Sequence, residues 1–187
     1  QYRPFENLTL ATAVDGWYNN LFSTSNLNLR EDAQPERLTI LANFSAKYVS
    51  EHFTFGGNIM YTRTHETSDS ATTVPDRNKI SPTVYSSWQL NDAGNLTLRA
   101  FYKEIYRLPT FTELYFHDLG YKYLLPEETH QFNLGLTYLS DKIPFINSFM
   151  CTADAFYNRV TNKITIIYGM PYSSVRNTGQ VEIKGCD

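Results

Sequence analysis

The chain has four histidines, the side chains that most readily bind a metal ion or haem iron near neutral pH. They are His52, His65, His117 and His130, and no two of them stand at the close spacing of a zinc-ligand motif. The sequence therefore predicts no resident metal centre, and no metal or other cofactor.

The sequence lacks the patterns that would indicate catalysis. No glycine-rich phosphate loop follows a strand-like segment, and no nucleophile elbow is present. Adjacent acids such as Glu127 and Glu128 would point to opposite sides of a strand, and we expect them to be solvated loop charges. Because no nucleophile can be paired with a base, we predict that the chain has no catalytic residues and is not an enzyme.

His117 differs from the other histidines because it lies in a long segment, Leu108 to Glu127, that is rich in aromatic residues. Within this segment it is the one side chain able to serve as a strong neutral ligand to a metal or to haem. Aromatic side chains give a ligand large, rigid contact area at little cost in conformational entropy. The candidate ligand-binding residues are therefore His117, Phe111, Tyr115, Phe116, Tyr121 and Tyr123.

The segments on both sides of this loop alternate between apolar and polar residues with a period of two. Such alternation predicts half-buried β-strands. Aromatic residues, which suit strands, make up 15% of the chain. We predict eight strands, within residues 8–18, 37–49, 53–64, 79–90, 95–107, 132–138, 149–158 and 175–184.

The alternation predicts two chemically different faces. The polar face is mostly Thr, Ser, Asn and Gln rather than Lys and Glu, which is typical of a lumen wall and not of a surface in bulk water. Glu104 and Arg63 share parity with the apolar face, and we expect them to reach lipid headgroups. In the last strand, Val181 and Ile183 form the apolar set. The residues predicted to share one apolar surface are Leu38, Ile40, Phe44, Phe55, Ile59, Val84, Trp88, Leu98, Leu134 and Leu136, with Asn43, Asn58, Gln89, Arg99 and Asn133 facing the other way.

The connections alternate between short and long. Residues 50–52, 91–94 and 140–147 are short turns, whereas 22–36, 66–78 and 108–127 are long. This pattern is typical of a membrane barrel with tight turns at one end and extended loops at the other. We therefore predict an all-β fold, an antiparallel up-and-down meander of about eight strands that is part of a larger transmembrane β-barrel. The alternative is a soluble β-sandwich, for example a carbohydrate-binding module.

Composition and cysteine content further limit the classes of protein to which the chain can belong. Mean hydropathy is −0.39, and no apolar run approaches the roughly 18 residues of a helical membrane span. The net charge of −3, without a basic patch, predicts no nucleic-acid partner. Cys151 and Cys186 fall on neighbouring predicted strands. In the hairpin register that we expect, however, the position opposite Cys151 lies beyond the end of the chain. We expect both cysteines to be unpaired.

Several short sequence motifs occur in an order that resembles the barrel sequences of TonB-dependent outer-membrane receptors. In that family similar motifs lie along one strand, in the extracellular loop that follows it and along the next strand. The match is strongest from Lys79 to the end of the chain. The motifs are Tyr106–Thr110, Glu113–Tyr115, Leu125–Glu127, Asn133–Leu136, Ala153–Val160, Asn177–Gly179 and Val181–Gly185.

The resemblance implies a receptor with a plug domain upstream and a barrel of about 22 strands. The chain is then expected to be a fragment of the barrel, without the plug and the final strands. Such receptors lie in the outer membrane of Gram-negative bacteria, in contact with its lipid. They import siderophores, haem or cobalamin with energy passed from an inner-membrane protein. A passive outer-membrane channel, which has the wall without the plug, is the alternative.

The resemblance also bears on His117. In haem-transporting members, a loop histidine lies between a Phe-Arg-Ala-Pro motif and an Asn-Pro-Asn-Leu motif. Tyr106–Pro109 is similar to the first, whereas Tyr121–Leu124 keeps only the leucine of the second. An iron chelate, haem and cobalamin all remain open as the transported ligand. The loop aromatics could equally form the girdle of a barrel at the membrane interface.

Overall fold

A computed structural model describes residues 1–22, 29, 34–68, 74–117, 119–140, 148–169 and 173–187. The described residues form eleven strands and one short helix, α1 (Phe111–Tyr115). The strands are β1 (Tyr2–Phe5), β2 (Leu8–Asn20), β3 (Glu36–Val49), β4 (Phe53–Thr67), β5 (Arg77–Gln89), β6 (Leu96–Arg107), β7 (Glu127–Ser140), β8 (Phe149–Thr161), β9 (Ile164–Ile167), β10 (Ser174–Asn177) and β11 (Gln180–Cys186).

Nine of these strands form one antiparallel sheet in the order β1-β2-β3-β4-β5-β6-β7-β8-β11. The hairpin β9–β10 is a separate pair inserted between β8 and β11. Every strand of the sheet therefore pairs with its neighbour along the chain, apart from that insertion. The predicted meander is confirmed, and the described strands contain neither a parallel pair nor the crossovers of a Greek-key sandwich.

The observed strands differ from the predicted ones in three places, one of which is β9, a strand that was not predicted. The eighth predicted strand is divided into β10 and β11, because Gly179 has a φ of 89°, a conformation that extended strands do not contain. The short strand β1 precedes the first predicted strand and pairs with β2.

The register places the predicted apolar residues on one face. Residues directly opposite each other on neighbouring strands share a face. One such row runs Tyr48, Phe55, Ser86, Ala100 and Leu134 from β3 to β7. The predicted faces of β3 to β7 are therefore confirmed, and we call the one with this row the outer face.

The last strand differs from its prediction. Val181 lies opposite Val160 and Ile183 opposite Asn158, which puts both on the polar inner face. Gly185 lies opposite Phe156, where a Cβ would come within 2.7 Å of the ring. A slip of one residue would bring a larger side chain against that ring and exchange the two faces. As a result Glu182 and Lys184 project from the outer face, the reverse of what the apolar pattern predicted.

The outer face of β3 has the height of a lipid bilayer core. Its outward residues from Leu38 to Tyr48 include no charged side chain. Ten steps of about 3.4 Å along the strand give about 34 Å. At a strand tilt of about 40° this corresponds to about 26 Å, close to the apolar band of membrane barrels.

The long connections lie together at one end of the sheet. They join β2 to β3, β4 to β5, β6 to β7 and, through the β9–β10 hairpin, β8 to β11. The remaining connections, at the opposite end, are mostly short, as the sequence predicted. In the described part of the chain, no helix has the length and apolar character needed to cross a membrane.

The two cysteines occupy the outer face. Cys186 lies opposite Ala155 and Cys151 opposite Tyr138. Continuing the β8–β11 register would place the partner of Cys151 beyond residue 187, as predicted. Both thiols are free and exposed.

A nitroxide label tests the assignment of the faces. In the full-length protein with Cys151→Ser, we expect a label on Cys186 to collide more often with lipid-dissolved oxygen than with a water-soluble nickel chelate. The control is Asn133→Cys in a background without other cysteines, because this position faces inward, and it should show the opposite preference. The measurement is power-saturation electron paramagnetic resonance in lipid vesicles. Equal or reversed preferences would show that the faces are wrongly assigned.

Candidate functional site

The long connections are joined by a shared apolar core. It contains one or more residues from each of them, so loops far apart in sequence form one packed unit. Apart from prolines and Val160, it includes all the buried apolar side chains of the described residues. We call this cluster the loop core: Leu29, Val74, Leu114, Tyr115, Leu124, Ile164 and Val175.

The short helix α1 is fixed at its start by a capping box. Thr110 Oγ1 accepts a hydrogen bond from the Glu113 backbone N–H at 3.2 Å, and the Glu113 carboxylate accepts one from the Thr110 N–H at 2.8 Å. Glu113 also receives the Arg107 guanidinium at 3.2 Å. Burial opposes ionisation of Glu113, but the bonds from Arg107 and Thr110 outweigh it and lower the pKa of this carboxyl.

Tyr115, at the end of α1, is hydrogen-bonded to Glu66, near the end of β4. Its hydroxyl donates to Glu66 Oε1 at 2.7 Å, and Arg37 Nε donates to the other oxygen of Glu66 at 2.7 Å. Arg37 also lies 4.8 Å from the centre of the Phe111 ring, a cation–π distance. Burial and the neighbouring Glu66 carboxylate raise the pKa of the Tyr115 hydroxyl, so it remains a donor.

Glu127, the first residue of β7, connects its own strand to two others. Its Oε2 accepts from Arg107 Nε at 2.8 Å, and its Oε1 accepts from the Ile164 N–H at 2.6 Å. Lys163 Nζ lies 3.2 Å from the same Oε1. Glu127 is only 5% exposed, so the expectation that it is a solvated loop charge was wrong. A buried carboxylate requires partners of this kind, and here they join β6 and β7 to the start of β9.

Asn177, the last residue of β10, ties the hairpin to the long loop. Its Oδ1 accepts from the Leu125 N–H at 2.8 Å, and its Nδ2 donates to the carbonyls of Leu125 and Asn162 at 2.9 and 2.7 Å. The Val175 N–H also donates to the Leu119 carbonyl at 2.9 Å. The loop and the hairpin therefore form two walls at a fixed separation.

A cleft of about 980 Å³ lies between these walls. Three of the six candidate residues line it: His117, Tyr121 and Tyr123. The two tyrosine rings meet edge to face at 5.6 Å, and both residues are exposed. Arg176, from β10, lines the opposite wall and makes no ion pair with a described residue. The cleft thus combines aromatic surface, an imidazole and a cation, which suits a large ligand that carries negative charge.

The other three candidate residues are elsewhere. Tyr115 has no exposed surface, so we assign it a positioning role and not contact with a ligand. Phe111 is half-buried against the loop core, and Phe116 is half-buried and forms a backbone bridge with Leu29. Arg176 was not among the predicted site residues, because nothing in the pattern of β10 distinguishes it from other exposed strand residues.

Among the described residues, one group of possible metal ligands lies together, away from the cleft. A carboxylate oxygen each of Glu104 and Glu128 and a ring nitrogen of His130 lie within 4.8 Å of one another. Lys79 Nζ already lies 2.6 Å from Glu104 and 2.9 Å from Glu128, and the Tyr102 hydroxyl lies 2.9 Å from His130 Nδ1. Because Lys79 and Tyr102 already contact these side chains, we assign no metal to this group. Glu104 is buried and paired with Lys79, so the expectation that it reaches lipid headgroups was wrong.

An open antiparallel meander with an apolar outer face, a polar inner face and joined long loops at one end is the architecture of a membrane-barrel wall. The family model for TonB dependent receptor-like beta-barrels matches residues 1–187. The chain belongs to the TonB-dependent receptor family. Members of this family are receptors and transporters of the outer membrane and not enzymes.

Solved structures agree in fold. The FrpB iron transporter from Neisseria meningitidis (F3-3 variant) matches with a TM-score of 0.71 and 13% identity, over 98% of this chain and 30% of its own. The copper transporter OprC gives 0.74 and 19%, over 97% and 32%. The Serratia marcescens hemophore receptor HasR, as a double mutant with its hemophore HasA and heme, gives 0.67 and 14%, over 96% and 38%. No curated protein matches the sequence.

The Tyr115–Glu66 bond gives a first prediction for the site. Tyr115→Phe keeps the packed ring but removes the donor from a buried carboxylate, so we expect a loss of about 1–3 kcal/mol in the local stability of the loops. Hydrogen exchange of residues 108–126 in the full-length protein measures this loss. Tyr121→Phe is the matched control, since its exposed ring lies in the cleft, and it should leave exchange unchanged. Equal exchange in both variants would contradict the assigned role of Tyr115.

The lowered pKa of Glu113 predicts a dependence on pH. A carboxyl whose pKa is lower in the folded loop contributes stability above its unfolded pKa, near 4.5, and loses that contribution as pH falls through the folded value. Exchange at α1 should therefore accelerate below pH 4.5 relative to the sheet. In Glu113→Gln, α1 should exchange faster at neutral pH and change less on acidification. An unchanged acid response in this variant would assign the effect to another group.

Proposed function

We propose that this chain forms part of the barrel wall, and part of the ligand-receiving outer surface, of an active-transport receptor. The receptor lies in the outer membrane of a Gram-negative bacterium and imports a scarce, bulky nutrient: an iron chelate such as a ferric siderophore, haem or cobalamin. Family membership supports transport, and the observation that carries the proposal is the cleft at the long-loop end of the sheet.

The shape and lining of the cleft suit such a ligand. Its volume lies at the upper end of the range of about 300–1,000 Å³ that is usual for small-molecule sites. Tyr121 and Tyr123 offer flat apolar surface, and the guanidinium of Arg176 can pair with a carboxylate or another anionic group. The bonds of Asn177 fix the walls before the ligand arrives, which reduces the ordering that binding requires.

The cleft also suggests how two kinds of cargo would be held. If the cargo is haem, His117 supplies the imidazole that can ligate its iron. If it is a siderophore or cobalamin, the two tyrosines and Arg176 supply most of the contact. Similar structures include an iron transporter, a copper transporter and a receptor bound to heme with its hemophore, which supports a metal-containing cargo.

Energy for import is proposed to come from an inner-membrane protein through a plug domain of the full-length receptor. The chain spans about a third of the length of the structures that it matches. The plug and its coupling segment are part of the proposal for the whole protein. A passive channel would share this wall but need no plug, and transport that persists without the inner-membrane energy source would favour it.

Substitutions in the cleft test the proposal. In the full-length receptor, Tyr121→Ala with Tyr123→Ala should weaken cargo binding on the order of tenfold or more, because each ring contributes contact area to the ligand. His117→Ala should abolish most haem binding if the cargo is haem and have little effect otherwise. Binding of haem, a ferric siderophore and cobalamin is measured separately by titration against purified protein.

Phe22→Ala is the control, since this exposed aromatic side chain does not line the cleft. Barrel assembly is checked by heat-modifiable migration in gels, so that a loss of binding is not confused with a loss of folding. Wild-type affinity of the double tyrosine variant for all three compounds would show that these aromatics serve as an interfacial girdle instead.

A further inference from the structure

Most of the inner face is polar, but one register row on it is aromatic. Tyr85, Phe101 and Phe156 lie in this row on β5, β6 and β8, and Asn133 occupies the same row on β7. Tyr85 is 38% exposed and Phe101 is 40% exposed, although both point away from the apolar outer face. We call the three aromatic side chains the inner aromatic row. Three strand spacings, about 14 Å, separate its ends.

Glycines on neighbouring strands let two of these rings lie against the sheet. A Cβ at Gly56, directly opposite Tyr85, would come within 2.5 Å of the Tyr85 ring. A Cβ at Gly185, opposite Phe156, would come within 2.7 Å of the Phe156 ring. Each ring therefore covers a glycine instead of standing upright from the sheet. The row offers flat apolar surface, which suits stacking with another flat molecule.

Charged side chains border the inner aromatic row on both sides. Toward the short turns, Arg99 Nη2 lies 3.3 Å from Asp154 Oδ2, and the pair spans Gly135 on the strand between them. Toward the long loops, Lys103 is exposed and pairs with no acid of the described residues, since its neighbour Glu104 is paired with Lys79. Arg99, Asp154 and Lys103 together carry a net charge of +1.

An apolar strip connects the inner aromatic row with the cleft. β11 follows β10, which forms one wall of the cleft, and its inward residues Val181 and Ile183 are exposed. The next inward residue along β11 is Gly185, on which the Phe156 ring lies. Apolar surface therefore continues along the inner face from the strand that adjoins the cleft to the row.

We infer that the inner aromatic row is a second binding site for the imported cargo, occupied after the cargo leaves the cleft. The inference rests on the proposed function and narrows the cargo to a molecule with flat conjugated or aromatic surface and a negative charge, such as haem or a ferric catecholate. The rings supply the stacking surface, and Lys103 pairs with the anionic group. The cleft has the same two features, aromatic rings beside the unpaired Arg176, so one cargo fits both sites.

Energised uptake by cells and equilibrium binding to the purified full-length receptor separate the two sites. The probes are haem and a ferric catecholate. In Tyr85→Ser with Phe101→Ser, we expect the maximal rate of uptake to fall about tenfold, since each aromatic contact contributes roughly two- to twelvefold. Cargo that leaves the cleft is then captured less often and returns outward. The affinity of the resting receptor for the same probe should not change, because the cleft is intact.

Trp17→Ser is the matched control. Trp17 is also an exposed aromatic residue of the inner face, but it is on β2, outside the row. Its loss should change neither the rate nor the affinity. Phe101→Leu keeps an apolar side chain but removes the ring, so it should lower the maximal rate about threefold. This variant serves if the double variant does not fold.

Four results would overturn the assignment. They are a wild-type maximal rate in Phe101→Leu, an equal loss of rate in Trp17→Ser, a loss of resting affinity in the double variant as large as its loss of rate, and import of cobalamin but of neither probe. Permeation of a large antibiotic through the double variant without an energy source would show that the row packs against the plug, and would also overturn it. Uptake that persists without the inner-membrane energy source would count against the proposed function alone.

Discussion

The buried carboxylate of Glu127 holds the functional end of this sheet together. It begins β7, and its two oxygens receive Arg107 at the end of β6, the backbone of Ile164 and the ammonium of Lys163. Burying one charge without these partners would cost several kcal/mol, so the strand ends and the hairpin must keep their positions. Arg107 then extends the same network to Glu113 and hence to α1.

The sheet and its loops obtain stability in different ways. The sheet buries little: its outer face is apolar and exposed, and its order comes from backbone pairing. The loops instead have a small conventional core and buried ion pairs. The cleft lies on the loops. The sheet fixes the spacing of the strand ends from which these loops extend.

Most of the sheet could be predicted from sequence because its signal is local. Alternation with a period of two identifies strand and face within a few residues, as for Leu38 to Tyr48. The loop contacts were missed because their partners are distant: 49 residues separate Tyr115 from Glu66, and 37 separate Ile164 from Glu127. The face of β11 was predicted wrongly. Alternation over its seven residues sorts the side chains into two sets but does not determine which set faces outward, and the fit of Gly185 against Phe156 decides this.

The shared loop core has a consequence for how such a receptor can change over evolutionary time. Surface loops usually tolerate insertions and replacement independently of one another. Here Leu29, Val74, Leu124 and Val175 come from four different connections and fill one interior. A change of volume in any one of them must be matched in the others. On the function proposed above, new ligand specificity is therefore accessible mainly at cleft positions outside this interior, such as Tyr123 and Arg176. Exchange of a whole loop between relatives would require the other loops to be exchanged with it.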